Sequence, residues 1–270
     1  MTGKIRTALV TGGSSGIGAA TARILAGAGI RVYAASRSGK APDNDGIIPV
    51  TMDVNDPVSI KAALEQVLDG DSALDALVSC AGNGIGGDIE TTSDEEVKYQ
   101  FETNFFGLDK VVRACLPIFR EQGHGRIVTI SSVAGFFPIP YQAYYSASKA
   151  AVTMYTKALR LETMPFGIQC GSILPGDVKT GFTSARKMTR GSQDPASPYF
   201  FQVGKSIAKM ARDEQAGMKP EVIAKAVLKQ LTRKRMTTVC VPRLDYKALY
   251  FLGNILPESF IQKILSILYQ

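Results

Sequence analysis

Short apolar runs alternate with longer stretches of helical period along the chain, and the alternation predicts an architecture. Thr7 to Val10, Arg31 to Ala35, Ile47 to Thr51, Leu74 to Val78, Ile127 to Ile130, Ile168 to Ile173 and Thr237 to Val241 are rich in apolar, mostly β-branched residues. They read as strands, the central ones buried on both sides as in a parallel sheet. Between them, periodic patterns predict helices up to Ala28, from near Pro57, over Asp94 to Phe119, over Ala143 to Arg160 and over Pro220 to Arg233. Such alternation predicts an α/β fold: a doubly wound, Rossmann-like parallel sheet of about seven strands with helices on both faces. Nothing in the 270 residues resembles a linker, a repeat or a low-complexity stretch, so a single domain over 1–270 is expected.

Two segments depart from the alternation. Gly181 to Gly217 carries two prolines, several Ser and Thr, and the aromatic patch Pro198-Tyr199-Phe200-Phe201. An insertion of this length predicts a substrate lid over about 181–218, whose aromatics either line a pocket or pin the lid down. The second segment, about 248–270, is apolar but interrupted by Asn254, Pro257, Glu258, Gln262 and Lys263, which rules out an uninterrupted membrane span. A helix from Pro257 would gather Phe260, Ile261, Ile264, Leu265 and Leu268 on one side. Docking on the core or on a neighbouring subunit is the expectation, with a lipophilic substrate cap or shallow membrane contact as alternatives.

Composition narrows the function. The formal charge is +7, but basic residues are dispersed, and the one run, Arg233-Lys234-Arg235, ends a predicted helix where cations suit the macrodipole. Nucleic acid is therefore not an expected partner, whereas an anionic cofactor suits the excess. The four cysteines, Cys80, Cys115, Cys170 and Cys240, are scattered and read as buried thiols of a reducing compartment. Together with a strand almost at the amino terminus, they predict a cytoplasmic protein without a signal peptide. The single histidine, His124, sits in a turn, which argues against a Ser-His-Asp triad and against a histidine-based metal site; no metal is expected.

Candidate chemistry begins at Thr11-Gly12-Gly13-Ser14-Ser15-Gly16-Ile17-Gly18, between the first strand and the first helix. Glycines there let the backbone approach a pyrophosphate while the helix N-terminus presents unpaired N–H groups to it. The second strand ends in Ser36-Arg37-Ser38, where an acid would bind a ribose 2′-OH; Arg37 instead suits a 2′-phosphate, so NADP(H) is expected in preference to NAD(H). Ser132 closes the fifth strand, at the sheet edge where ligands bind. Tyr145 and Lys149 stand one turn apart on the following helix, where a nearby ammonium favours the phenolate and would bring the phenol toward neutrality.

The glycine loop, Tyr145-Ser-Ala-Ser-Lys149, and the Ser132 spacing resemble the short-chain dehydrogenase/reductase family over most of the chain. The resemblance implies a catalytic tetrad of Asn104, Ser132, Tyr145 and Lys149, with Asn104 distorting its helix and ordering a water that relays protons to the lysine. Tyr144 lacks a lysine four positions on. For the cofactor it implies Gly12, Ser14, Ser15, Gly16, Ile17, Gly18, Arg37, Asp53, Val54, Ala81, Gly82, Tyr145, Lys149, Pro175, Gly176, Val178 and Thr180. Asp53 would lie beside the adenine, or else cap the helix near Pro57. The chain departs from the family pattern at Cys80, which replaces an asparagine that helps hold the central sheet, and at Ser15, where NADP-preferring members carry a second basic residue.

The implied activity is hydride transfer between NADP(H) and a carbonyl or secondary alcohol. The apolar lid and tail favour a lipophilic small-molecule substrate, steroid-, retinoid- or fatty-type, and a homodimer or homotetramer is expected. The alternatives are a 3-oxoacyl thioester reductase of fatty-acid synthesis and, from another class, a non-catalytic nucleotide-sensing protein.

Overall fold

The structure, a computed structural model, describes residues 4–269. Its elements run β1 (Thr7–Thr11), α1 (Gly16–Gly27), β2 (Arg31–Ser36), β3 (Ile47–Thr51), α2 (Pro57–Asp71), β4 (Ala76–Ser79), β5 (Ile85–Gly86) and α3 (Asp94–Phe101). A π-helical turn (Glu102–Gly107) leads into α4 (Leu108–Gln122), β6 (Gly125–Ile130), α5 (Ala143–Thr163) and β7 (Ile168–Ile173). Then follow α6 (Phe182–Ala185), β8 (Lys187–Met188), α7 (Phe200–Gln215), α8 (Pro220–Thr232), β9 (Val239–Cys240), α9 (Leu244–Gly253) and α10 (Glu258–Tyr269).

Seven strands form one parallel sheet in the order β3-β2-β1-β4-β6-β7-β9. Neighbouring residues of a strand point to opposite faces, and both faces are covered. Leu9, Leu77 and Ile127 belong to a core shared with α2, α4 and α5, whereas Val10, Val78 and Val128 belong to a second core under α1 and α8. Each fully buried Val, Leu or Ile contributes roughly 2 kcal/mol. Pro49 falls on β3, the edge strand, where the missing N–H is tolerated. A second, two-stranded sheet pairs β5 with β8.

Several boundaries differ from the sequence reading. The fourth strand begins at Ala76 rather than Leu74, whose N–H and C=O are instead taken by the side chain of Gln122. The seventh strand shortens to Val239–Cys240, and the helix expected over Ala143 to Arg160 extends to Thr163. The helix expected over Asp94 to Phe119 is broken by the π-helical turn around Asn104. Gly107 belongs to that turn because a Cβ there would strike Asn55 and Val54. Asp53 does not cap α2: Asp56 does, accepting from Val58 N at 2.9 Å, while Asp53 accepts from Asn55 N. The segment expected as a lid, about 181–218, carries α6, β8 and α7.

The C-terminal apolar stripe is divided. Ile261 is buried, whereas Phe260 and Ile264 are 50% and 42% exposed; the side chain of Leu268 lies outside the described residues. No helix among the described residues is long and apolar enough to cross a membrane.

Candidate active site

At the C-terminal ends of β1, β4, β6 and β7 a cleft of about 580 Å³ opens, where chain connections diverge to either side of β1. One wall is the glycine turn: Gly12, Ser15, Gly16, Ile17 and Gly18 line it. Gly12 (φ +65°) and Gly16 (φ +53°) are left-handed, and a Cβ on Gly12 would press on the Ala81 backbone at 3.0 Å. A Cβ on Gly18 would strike the carbonyl oxygen of Gly12, so the helix can meet the turn this closely only through glycine.

Ser15 is the N-cap of α1 but makes no side-chain cap bond, and the first turn holds no acidic residue. The helix thus offers uncapped N–H groups and a positive dipole end beside the cleft, which fits an anionic pyrophosphate. Arg37, exposed after β2, reaches the same cleft. Ala81 and Gly82 line it after β4, and Pro175, Gly176, Val178 and Thr180 after β7. The Thr11 hydroxyl accepts from Cys80 N and Ala81 N, both at 3.1 Å, and so ties β1 to the β4 end where Cys80 stands.

Ser132, Tyr145 and Lys149 meet in this cleft. Ser132 follows β6, with its Oγ 3.5 Å from Pro175 O and on the Tyr145 side of the cleft. It also accepts from Ala134 N at 3.1 Å. Ser131 is otherwise engaged, donating to Lys149 O at 2.7 Å and accepting from Thr153, which separates the two serines. Tyr144 does not line the cleft, and its hydroxyl points to Ile89 O at 3.5 Å.

The electrostatics correct one expectation. Burial pushes the Tyr145 phenol up to about 12; the Ser132 hydroxyl opposes this, and the Glu214 carboxylate adds to the rise. Tyr145 is half-buried, with its ring bordering the open cleft. Lys149 does not bring it down, because the ammonium is itself buried, its Nζ donates to Ile130 O at 3.0 Å, and it lies 5.8 Å from the ring centroid. Desolvation lowers Lys149 to about 8.

Asn104 stands behind the cleft rather than in its lining, 1% exposed. Its Oδ1 accepts from Asn83 N at 2.8 Å, while Nδ2 donates to Asn83 O at 3.0 Å and Ser148 Oγ at 3.1 Å. A Cβ placed on Gly82 would lie 3.2 Å from Asn104 Oδ1 and 3.6 Å from Lys149 Nζ, so the two groups face each other across that glycine. Ser14, Asp53 and Val54 do not line the cleft: Ser14 is exposed, and Val54 packs into the core beside Gly107.

Sequence reasoning did not find the groups that pack around Tyr145 and Gly176 at the cleft. The Phe182 ring leans on Tyr145 at 5.5 Å between centroids. Arg186, almost wholly buried, pairs with Glu214, which also accepts from Thr183, and Gln142 turns its amide oxygen to Arg186. Tyr246 of α9 donates to Asp177 and packs on Gly176, bringing the C-terminal segment onto the cleft. Only proximity in space marks these residues, for they share no sequence period or motif.

Residues 6–191 match the family described as short chain dehydrogenase. The chain is 39% identical over 230 residues to the 3-ketodihydrosphingosine reductase of Bacteroides thetaiotaomicron, covering 84% of this chain and 83% of that protein. Among solved structures, a short-chain dehydrogenase from Streptomyces avermitilis superposes with a TM-score of 0.81 at 28% identity, covering 98% of this chain and 96% of the other. A short chain dehydrogenase/reductase from Burkholderia phymatum in complex with NAD has the same fold, with a TM-score of 0.79 at 24% identity over 93% of this chain and 94% of that one.

Proposed function

The chain belongs to the short-chain dehydrogenase/reductase family, oxidoreductases that act on alcohols and carbonyls with a nicotinamide cofactor, and on that premise we propose that it reduces a lipophilic ketone with NADPH. The observation that carries this reading is the convergence of Ser132, Tyr145 and Lys149 in one cleft with the glycine turn and Arg37. The relative from Bacteroides thetaiotaomicron, by its name a reductase of a keto lipid, supports the substrate class.

When bound, the nicotinamide supplies the hydride that reaches the carbonyl carbon. Tyr145 gives its phenolic proton to the carbonyl oxygen as negative charge develops there, so that hydride and proton together complete the alcohol. A phenol standing near 12 holds its proton at neutral pH and still yields it to an alkoxide, the stronger base. Ser132 donates a hydrogen bond to the same oxygen. Lys149, lowered to about 8, exchanges protons near neutrality and resupplies the phenolate, in addition to holding the nicotinamide ribose. Asn104 orders the water through which that proton arrives. Arg37 pairs the 2′-phosphate, and the α1 N-terminus takes the pyrophosphate.

The test is NADPH oxidation against a panel of aliphatic, steroid, retinoid and acyl-thioester carbonyls, repeated with Tyr145→Phe. Turnover of a lipophilic ketone is expected, with the variant slower by about two to four orders of magnitude while NADPH affinity stays nearly constant. A near-normal rate in the variant would remove Tyr145 from the chemistry, and preference for an acyl thioester would transfer the function to that substrate class.

A further inference from the structure

Beside the catalytic cleft lies a second space of about 820 Å³, and its lining is mostly apolar, with Asp88 and Glu90 its charged members. Phe136, Phe137, Pro138 and Pro140 of the loop between β6 and α5 form one side, and Leu265 of α10 faces them. Ala134 and Ile139 line both this chamber and the cleft, so the two spaces adjoin along one short loop. Ser132 belongs to that loop, whose chamber-lining part begins at Ala134 and runs almost to Tyr145, which sets the chamber alongside the reacting groups.

The C-terminal helices are fixed onto the same loop. The Tyr250 ring packs on Phe136 at 4.5 Å between centroids, and Gly253 approaches Phe136 and Phe137 so closely that a Cβ would strike both rings. Ile261 is buried, which anchors α10 while Leu265 is left facing the chamber. Ser146 already accepts from Ile139 N at 3.3 Å, and the two carboxylates of the lining are engaged, Asp88 by Thr91 N and Oγ1 at 2.8 Å and Glu90 by the Tyr199 hydroxyl at 2.6 Å. The volume is within the range of ligand sites, and the mostly apolar lining suits a hydrocarbon chain.

From this geometry we infer that the chamber holds the alkyl chain of the substrate, with α10 as its outer wall, while the ketone lies at Ser132 and Tyr145. The inference rests on the proposed reading that the substrate is a lipophilic ketone, and it names the subsite that makes it so. Burying methylenes one after another tightens binding by about threefold each until the chamber is full.

Calorimetric titration of the full-length protein with straight-chain alkan-2-ols from butanol to tetradecanol, below their aggregation limits, tests it. Affinity should climb by about threefold per methylene and then level off. Ala147→Phe and, separately, Leu265→Trp place bulk in the chamber from opposite walls and should cut the affinity of the longest alcohol by at least tenfold. Thermal unfolding checks that each variant is folded, and should α10 not tolerate the tryptophan, Ala147→Phe on the long α5 helix decides the matter. Affinity independent of chain length in the unmodified protein would overturn the inference. So would an undiminished chain-length gain in the filled variants, or variants that change sedimentation rather than affinity, which would give the chamber to a second copy of the chain. A chain-length gain without NADPH-dependent reduction of any ketone would leave the chamber standing and remove the reductase reading instead.

Discussion

Replacing Asn104 by alanine should cost stability and turnover together, and the size of the first effect follows from the bonding. The side chain makes three hydrogen bonds, two to the Asn83 backbone and one to Ser148. Two of the partners keep another: Asn83 O still accepts from Gln100 Nε2 at 3.1 Å, and Ser148 still donates to Tyr145 O at 2.8 Å. The Asn83 N–H is left without its acceptor. Loss of that one bond with an orphaned donor costs about 1–3 kcal/mol, and the other two together about 1 kcal/mol more. Alanine returns about 0.5 kcal/mol of helix propensity, so a net loss of about 2–3 kcal/mol is expected. For a chain of 270 residues that lowers Tm by about 4–5 °C, measurable by circular dichroism.

If Asn104 also positions the proton relay to Lys149, kcat should fall while KM for the ketone changes little, and the pH dependence of kcat should shift. Asn104→Asp keeps an acceptor for Asn83 N but turns a carboxylate oxygen toward Asn83 O in a buried site, so it should recover little of the stability. An unchanged Tm would refute the bonding argument. A lowered Tm with full kcat and an unmoved pH profile would restrict Asn104 to a structural part.

Other perturbations test the remaining assignments. Arg37→Asp exchanges a 2′-phosphate partner for a carboxylate, so the ratio of kcat/KM for NADPH over NADH should fall by at least about tenfold, or about 1.4 kcal/mol, and an unchanged ratio would reduce Arg37 to a surface residue. His124 is held above its ordinary value chiefly by its hydrogen bond to Asp75, then by Gln122 O, and both partners are acceptors, which suits the imidazolium. A group raised on folding stabilises fully below its unfolded pKa, roughly 6.5, and loses that contribution as pH rises through the folded value. The Tm gap between the unmodified protein and His124→Gln should therefore be present at acid pH and close at alkaline pH, and a gap independent of pH would refute the pairing.

What the sequence determined by itself was whatever depends on local period and spacing. Runs such as Leu9-Val10 and Val128-Thr129-Ile130 have to be buried on both faces, so the parallel sheet and its flanking helices were legible, as was the turn of glycines before α1. Ser132 was legible because a strand end lies at the sheet edge, and Tyr145 with Lys149 because a helix brings residues four apart onto one face. Tertiary structure decided what depends on neighbours remote in sequence. Gln122 ended β4 early by taking the Leu74 backbone, and Asn83 and Ser148 hold the Asn104 side chain at the π-helical turn. Burial rather than Lys149 sets the state of the Tyr145 phenol, since desolvation depends on everything packed around a group and not on the residue four positions away. The C-terminal stripe divided for the same reason: helical period aligns Ile261, Ile264 and Leu265, but tertiary packing leaves Ile261 buried, Leu265 facing the chamber across from Phe136 and Phe137, and Ile264 exposed.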